Sequence, residues 1–507
     1  MPQTTSAPSP PPAGVRSRPV RAAIVGTGFA GLAAAVRLKQ AGVDELTIFE
    51  RGDDVGGVWR ANDYPGATSD VAAHFYSLSF APNPDWSREF APQAEILEYL
   101  RRCARDHDLL RHVRFGTEIG AAAWDEDELR WRLTTTTGET HDADVLVAAC
   151  GQLSRPAVPP IPGLASFRGR AFHSAEWDHG HDLTGRRVAV VGTGASAIQF
   201  VPLIAPRTAS LHVLQRDAEY VVPKPDFAHA PWVNRLLRRV PATQRALRGA
   251  WWAFGEVLNP GLTVHRPGVR QLPARIFRLA FELNLRIGVR DAATRRALRP
   301  DYAIGCRRIL TSNAWYPTFR RDDVELVTDG IERVTPDGVV TTEGRTVEVD
   351  TIVFATGFRS DGFVAPMDVT GRDGLPLTEA WRDGPSAYLG MTVPRFPNLF
   401  LLYGPNTNLG GGSVVYMLER QAEYVAQAVG LLRRTGGAAL DVRADVHERF
   451  DRETQTRLQG SVWAAGGCRS WYRDASGRVT NNWPGLMAEY ARRTKTIDPS
   501  DYQVTHA

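Results

Sequence analysis

Cysteine is scarce in this chain: four residues in 507, Cys103, Cys150, Cys306 and Cys468, and no two of them form a Cys-x-x-Cys pair. That spacing indicates neither a structural zinc site, nor a dithiol centre, nor iron–sulfur ligation. Four reduced thiols in a cytoplasmic protein are the expectation. An excess of one charge is also missing, because 60 Lys and Arg against 56 Asp and Glu leave a formal charge of only +4. So small an imbalance does not mark a nucleic-acid surface. No segment offers about 18 uncharged apolar residues in a row, so no membrane span and no stable membrane insertion are expected. Residues 1–20 carry Ser, Thr and Pro with Arg16 and Arg18 but no apolar stretch of export length, and read as a disordered tail. What the chain does have is 43% hydrophobic against 23% charged residues. That is the raw material of globular domains, and the length calls for two or three of them.

The first organised unit follows the tail. Ala22-Ala23-Ile24-Val25 is a short buried-strand pattern, Gly26-Thr27-Gly28-Phe29-Ala30-Gly31 turns it, Leu32 to Leu38 continues as helix, and Leu46-Thr47-Ile48-Phe49-Glu50 returns as strand. In such a β-α-β unit Gly26 permits the bend, Gly28 leaves room for a pyrophosphate, and Gly31 lets helix and strand approach. The phosphates would meet helix N–H groups. Glu50 stands 24 residues after Gly26, where a carboxylate can accept the ribose hydroxyls of an adenosine. An ordinary glycine-rich turn is the bland alternative, and the terminal acid weighs against it.

The plan repeats at Arg187-Val188-Ala189-Val190-Val191, Gly192-Thr193-Gly194-Ala195-Ser196-Ala197 and Leu211 to Arg216, with Arg216 again 24 residues after the first glycine. Here the selector is a base, which would neutralise a 2′-phosphate and grip it in a planar fork. The pair of selectors therefore points to FAD in the first unit and NADPH (or NADP⁺) in the second. Asp217 complicates the second site, since a carboxylate beside a phosphate is repulsive unless it points away or pairs with Arg216.

Two more buried-strand runs, Asp144 to Gly151 and Asp350 to Gly357, end in glycines that permit close backbone approach, and Pro156, Pro159, Pro160 and Pro162 stiffen the first crossover. The fold class is α/β: two Rossmann-like dinucleotide-binding domains, three-layered and arranged as in disulfide-reductase-like flavoproteins, with a helical insertion. The expected boundaries are a tail at 1–20, a first FAD portion at 21–160, an NADPH domain at 161–350, and a second FAD portion with a substrate- and cofactor-covering segment at 351–507. The insertion, at about 230–300, carries Trp251, Trp252, Phe254, Phe277 and Phe281 at helical spacing. It reads either as a lid over a ketone pocket or simply as a helical core.

The segment Phe167-Arg168-Gly169-Arg170-Ala171-Phe172-His173-Ser174-Ala175-Glu176-Trp177-Asp178, just before the second glycine turn, resembles the signature of the type I Baeyer–Villiger monooxygenases. Gly56-Gly57-Val58-Trp59, Tyr64-Pro65-Gly66 and Asp70 resemble a second pattern of that family, and similarity extends over nearly all of residues 20–495. The stretch Gly477 to Gly485 is nearest to the aryl-ketone-oxidising branch that resembles 4-hydroxyacetophenone monooxygenase. The resemblance implies that Arg308 is the active-site cation beside the flavin and that Asp70 pairs with it, making these the expected catalytic residues. It places Arg307 where the family commonly has a Lys on the nicotinamide nucleotide, and Trp471 over the bound nicotinamide. His173 takes a coupling or structural role. The expected cofactor-binding set is Gly26, Gly28, Phe29, Gly31, Glu50, Gly57, Trp59, Asp70 and Tyr76 on the FAD side, and Gly192, Gly194, Ser196, Arg216, Arg307 and Trp471 on the NADPH side.

The activity so implied is insertion of one oxygen atom from dioxygen beside the carbonyl of a ketone, aryl, cyclic or polycyclic, through a C4a-peroxyflavin. The cofactor supplies the oxygen chemistry, while a permanent cation such as Arg308 can hold the peroxide and the tetrahedral adduct as anions. Two alternatives stay open: a flavin monooxygenase acting on nitrogen or sulfur nucleophiles, with less need of Arg308, and a dinucleotide-binding redox sensor without turnover. Asp70 and Arg308 as an ordinary ion pair, Trp59 and Tyr64 as loop packing, and Trp471 as an interface aromatic are the corresponding bland readings. The Arg216 selector predicts faster flavin reduction by NADPH than by NADH; a stopped-flow comparison showing a preference for NADH would contradict it.

Overall fold

The computed structural model describes residues 19–43, 45–263, 272–360 and 362–506. All but the last two residues of the expected tail lie outside it, as do 264–271 of the helical insertion. Two five-stranded sheets organise the chain, and in both every strand runs parallel to its neighbours. The first has the order Leu399–Leu401, Val145–Ala148, Arg21–Val25, Glu45–Phe49, Val113–Arg114. Its central strand ends at the first glycine turn, with Val25 in register with Phe49 and Ala148. Parallel strands covered on both faces need apolar residues at every position, which is why Ala22 to Ile24 and Val145 to Val147 are runs rather than alternations. The helix Phe29–Gln40 follows the turn, and Ala33, Ala34 and Ala35 are completely buried. Small side chains there let it lie close against helix Val414–Thr435, so the C-terminal portion supplies both an edge strand and a covering helix to the first unit.

The second sheet has the order Val324–Val327, Ser210–Leu214, Arg187–Val191, Thr351–Phe354, Arg170–His173. Its fourth strand, Thr351–Phe354, lies beyond the boundary expected at 350, so the chain returns to the first unit only after Phe354. The strand is buried throughout, and a short apolar run carries no mark of which sheet it joins. Smaller sheets flank the two units: a mixed one beside the first, in which Asp368–Thr370 runs parallel to Ile119–Asp125 and Arg130–Thr135 and Thr140–Ala143 follow antiparallel, and an antiparallel one of Ile331–Thr335, Gly338–Thr341 and Thr346–Glu348 beside the second.

The insertion consists of helices Pro231–Arg239, Pro241–Thr263, Leu272–Gly288 and Ala292–Ala297. Its inner side is seated firmly. Phe281 packs edge-on to Tyr220 at 4.9 Å between ring centres, Asn284 donates to the carbonyls of Val221 and Ser312, and Arg248 binds the fully buried Glu419 at 2.6 Å. Phe254, which the reading as a simple helical core would bury, is 51% exposed. No helix among the described residues is long and apolar enough to cross a membrane.

The thiols depart from expectation. Cys306 and Cys468, 162 residues apart in sequence, are joined in a disulfide with 6.1 Å between their Cα atoms, while Cys103 and Cys150 are free. The loop ending at Cys306 meets the turn at Gly466 to Cys468, where Ala303 N donates to Gly466 O at 2.9 Å. A Cβ on Gly466 would fall 2.8 Å from the Cys306 sulfur. Tertiary packing of this kind leaves no trace in cysteine spacing. Burial pushes the free Cys103 and Cys150 thiols up to about 11 and about 12. Titration of the denatured protein is predicted to find two thiols without reductant and four after reduction; four without reductant would contradict the crosslink.

Candidate functional site

The two glycine turns are built alike. Gly26 and Gly192 have φ of 106° and 111°, a region that disfavours any side chain. A Cβ at either would stand 2.6 Å from the Ala149 carbonyl oxygen or 2.5 Å from that of Ala355. The close backbone approach expected at Gly151 and Gly357 thus falls two residues earlier, because those glycines face open space. Gly31 packs against Gly26, and Gly28 lies against Gly57, where a Cβ on Gly57 would come 2.9 Å from the Gly28 Cα. Gly28 caps helix Phe29–Gln40 without any side-chain hydrogen bond, and Gly194 has nothing within 4 Å of its missing Cβ. Helix Ala197–Ile204 likewise begins at Ser196 with no side-chain cap. Helix N-termini without side-chain caps, at a glycine that carries no side chain over them, are what a pyrophosphate requires, so both turns fit the dinucleotides expected there.

The selectors complete the two sites. Glu50 is buried at the end of its strand and accepts from Thr27 N at 3.1 Å, Thr27 Oγ1 at 2.5 Å and Gly52 N at 2.8 Å. Arg216, by contrast, has a side chain 85% exposed, with only a 3.4 Å contact to Asp217. Asp217 is drawn away by Arg307 at 2.6 Å. Burial alone would raise the Asp217 carboxyl, but Arg307 and Arg216 together hold it below its ordinary value. Arg307 also donates to Glu219 at 2.8 Å and to the Arg469 carbonyl at 2.7 Å, and it lies over the Tyr302 ring. Its guanidinium is thus paired with protein groups through Nε, Nη1 and Nη2.

Between the two turns lies the loop Tyr64 to Asp70. Tyr64 donates to Gln199 Oε1 at 3.0 Å, and Gln199 Nε2 donates to the Thr68 carbonyl at 3.1 Å. Gly66 fits beneath Leu203. A loop from the first unit is thereby fastened to the first helix of the second. At its end Asp70 takes a bidentate pair from Arg308, Nε to Oδ2 at 2.6 Å and Nη2 to Oδ1 at 2.5 Å. The attraction of Asp70 keeps Arg308 charged across the whole working range. For Asp70, burial would raise the carboxyl, but the Arg308 cation and its hydrogen bonds hold it below the ordinary carboxylate value. Arg308 Nη1 has no hydrogen-bond partner among the described residues, and the side chain is 39% exposed.

Phenols close in around this cation. Burial pushes Tyr76 and Tyr472 up to about 12 and Tyr403 upward as well, so all three are neutral near pH 7. Tyr76 also accepts from Trp59 Nε1 at 3.3 Å and packs edge-on to Phe29 at 5.2 Å. Trp471 is 39% exposed beside Tyr472, with ring centres 4.7 Å apart. Sequence reasoning missed Tyr403, Tyr472, Gln199 and Lys224. Tyr403 has a φ of 63°, rare for a tyrosine, and its hydroxyl donates to Asn408 at 2.7 Å. Lys224, one of three lysines in the sequence, sits 5.0 Å from the Phe90 ring centre and acts electrostatically on Asp70. His173 lies apart from the cation, buried at the edge strand of the second sheet with Nδ1 accepting from Ala175 N. Its partners in the signature segment, Phe172 and Trp177, pack on each other, and Trp177 packs on Phe200.

The model for flavin-binding monooxygenase-like proteins matches residues 19–245. A Baeyer–Villiger monooxygenase of Pseudomonas aeruginosa is 44% identical over 495 residues, covering 97% of this chain and 93% of the relative. One from Streptomyces coelicolor is 43% identical over 489 residues, covering 96% and 92%. Among solved structures, an oxidised steroid monooxygenase bound to NADP superposes with a TM-score of 0.83 at 32% identity, and a closed cyclohexanone monooxygenase with 0.85 at 29%. Each of these covers 96% of this chain and 99% of its own.

With Asp217 held by Arg307, Arg216 is free for a 2′-phosphate. Arg216→Ala is expected to lower kcat/KM for NADPH by about tenfold to a hundredfold, the worth of a hydrogen bond to a charged group, and to leave that for NADH unchanged. An equal loss with both coenzymes would remove Arg216 from coenzyme selection.

Proposed function

The chain belongs to the Baeyer–Villiger monooxygenases of the flavin-binding monooxygenase-like family, and from that membership we propose that its two glycine turns hold FAD and NADPH on either side of the Asp70–Arg308 pair. It is an FAD-containing, NADPH-dependent enzyme that inserts one oxygen atom from dioxygen beside a ketone carbonyl, giving an ester or lactone. We assign the FAD domain to residues 21–160 together with the portion after Phe354, and the NADPH domain to the chain between them. The resemblance to steroid and cyclohexanone monooxygenases favours a cyclic or polycyclic ketone as substrate.

FAD, when bound and reduced, supplies the reaction with dioxygen. Glu50 and the Gly26 to Gly31 turn hold its adenosine and pyrophosphate, with Gly57, Trp59, Phe29 and Tyr76 packed about the same cradle. Gly192, Gly194, Ser196 and Arg216 hold the NADPH. Arg307 joins them at the nicotinamide nucleotide and, by holding Asp217 at 2.6 Å, weakens the grip of Asp217 on Arg216. Trp471, exposed beside Tyr472, would cover the nicotinamide.

The free Nη1 of Arg308 carries the catalytic assignment. A carbonyl oxygen under attack gains negative charge, and a cation already oriented toward it stabilises that charge without reorganising. Asp70 supplies the orientation, since it occupies Nε and Nη2 and leaves Nη1 as the donor aimed at substrate. The surrounding phenols donate no charge of their own, so the field at Nη1 stays positive. Arg308→Ala is expected to leave flavin reduction by NADPH within about twofold while ketone oxygenation falls about a hundredfold or more. Rapid-mixing kinetics of the two half-reactions checks this, and undiminished ester formation would remove Arg308 from the chemistry.

A further inference from the structure

Helix Leu272–Gly288 is apolar on the side turned away from the protein. Phe281, Leu285 and Gly288 are its buried face, yet Leu272, Ile276, Leu279, Leu283 and Ile287 are each between 50% and 71% exposed. Steps of three and four residues return to one side of a helix, so these five form a single stripe about 22 Å long. The two helices before it, which pack in series with it, also expose apolar side chains. Trp232 and Leu236 stand on one, 66% and 43% exposed, and Phe254 and Val257 on the other, 51% and 71% exposed. Soluble monomers rarely leave so much contiguous apolar surface uncovered.

The charge around this face is one-sided. Residues 231–263 and 272–299 hold twelve arginines against Glu256, Glu282 and Asp291, although the whole chain carries only +4; Arg248, Arg238 and Arg299 are paired with Glu419, Asp85 and Glu282, which leaves nine. Arg275 and Arg286 border the stripe, and Arg278 and Arg290 are exposed nearby; none of the four forms an ion pair among the described residues. Glu256 and Glu282 are turned to partners of their own, Met487 N and Arg299. A second copy of the chain would bring arginines against arginines. An anionic lipid surface instead complements both features, taking the apolar side chains between its acyl chains and the guanidinium groups among its phosphates.

We propose that the outward face of helices Pro231–Arg239, Pro241–Thr263 and Leu272–Gly288 seats the enzyme on an anionic bilayer as a peripheral, non-spanning contact. Such a seat suits an enzyme whose ketone partitions into lipid, and in that respect alone it rests on the proposed substrate class.

Flotation of the FAD-loaded full-length protein with vesicles of phosphatidylcholine alone, or mixed with phosphatidylglycerol, tests it. The protein is expected to float with the mixed vesicles only and to be released by salt. Leu279→Ser/Leu283→Ser/Ile287→Ser should stay at the bottom while oxidising a water-soluble ketone at the normal rate, which separates failure of the seat from failure of the enzyme. Arg275→Gln/Arg278→Gln/Arg286→Gln should lower partition by about fivefold per charge, about a hundredfold in all. Absence of flotation with anionic vesicles would overturn the proposal, as would equal flotation of the serine variant. So would a dimer, seen by light scattering, that the serine variant dissolves, since the face would then belong to a second copy.

Discussion

One ion pair ties the molecule together where its two halves meet. Asp70 ends a loop of the first dinucleotide unit, and Arg308 follows the helical insertion of the second. Their bidentate contact sets the direction of a guanidinium whose remaining nitrogen is uncommitted. A partly buried cation without its carboxylate would face the cost of desolvation alone. A carboxylate gripping all of its donors would leave nothing for a substrate. The observed division, two nitrogens held and one open, is the constraint on which the chemistry rests.

The neighbouring contacts make that geometry rigid. Gln199 fixes the Asp70 loop to the second unit, and the Cys306–Cys468 crosslink anchors the stretch of chain that carries Arg307 and Arg308. Arg307 is held on three sides, by Asp217, Glu219 and the Arg469 carbonyl. Two adjacent arginines thus play different parts, one locked into protein and the other keeping a free donor. Arg307 also holds Asp217 more closely than Arg216 does, which links the proposed coenzyme selector to the loop carrying Arg308 through a single residue.

Much of this is legible in the sequence because it depends on local rules. A glycine forced to positive φ at the end of a buried strand, a helix with a bare N-terminus, and an acid or base 24 residues on are all fixed by neighbours in the chain, and Gly26, Gly192, Glu50 and Arg216 can be named from spacing. Asp70 and Arg308 come from resemblance, since nothing in the sequence between them, a separation of 238 positions, signals their contact. What stays hidden is created by tertiary packing. The nearer partner of Asp217 is the distant Arg307, at 2.6 Å, with the adjacent Arg216 at 3.4 Å. Cys306 and Cys468 meet only when the C-terminal turn folds back on the insertion, and strand Thr351–Phe354 takes its sheet by pairing beside Val188 to Val191. The apolar outward face of the insertion reads as core because exposure cannot be seen in a helical period.

A double-mutant cycle on the rate of ketone oxygenation, with Asp70→Asn, Arg308→Lys and the pair combined, measures the central claim directly, flavin reduction serving as the reference half-reaction. If Asp70 works by aiming the Arg308 donor, the combined variant is no slower than the worse single one, because the orientation is lost only once. Losses that multiply as independent factors would show that the carboxylate and the cation act separately, and would contradict the account.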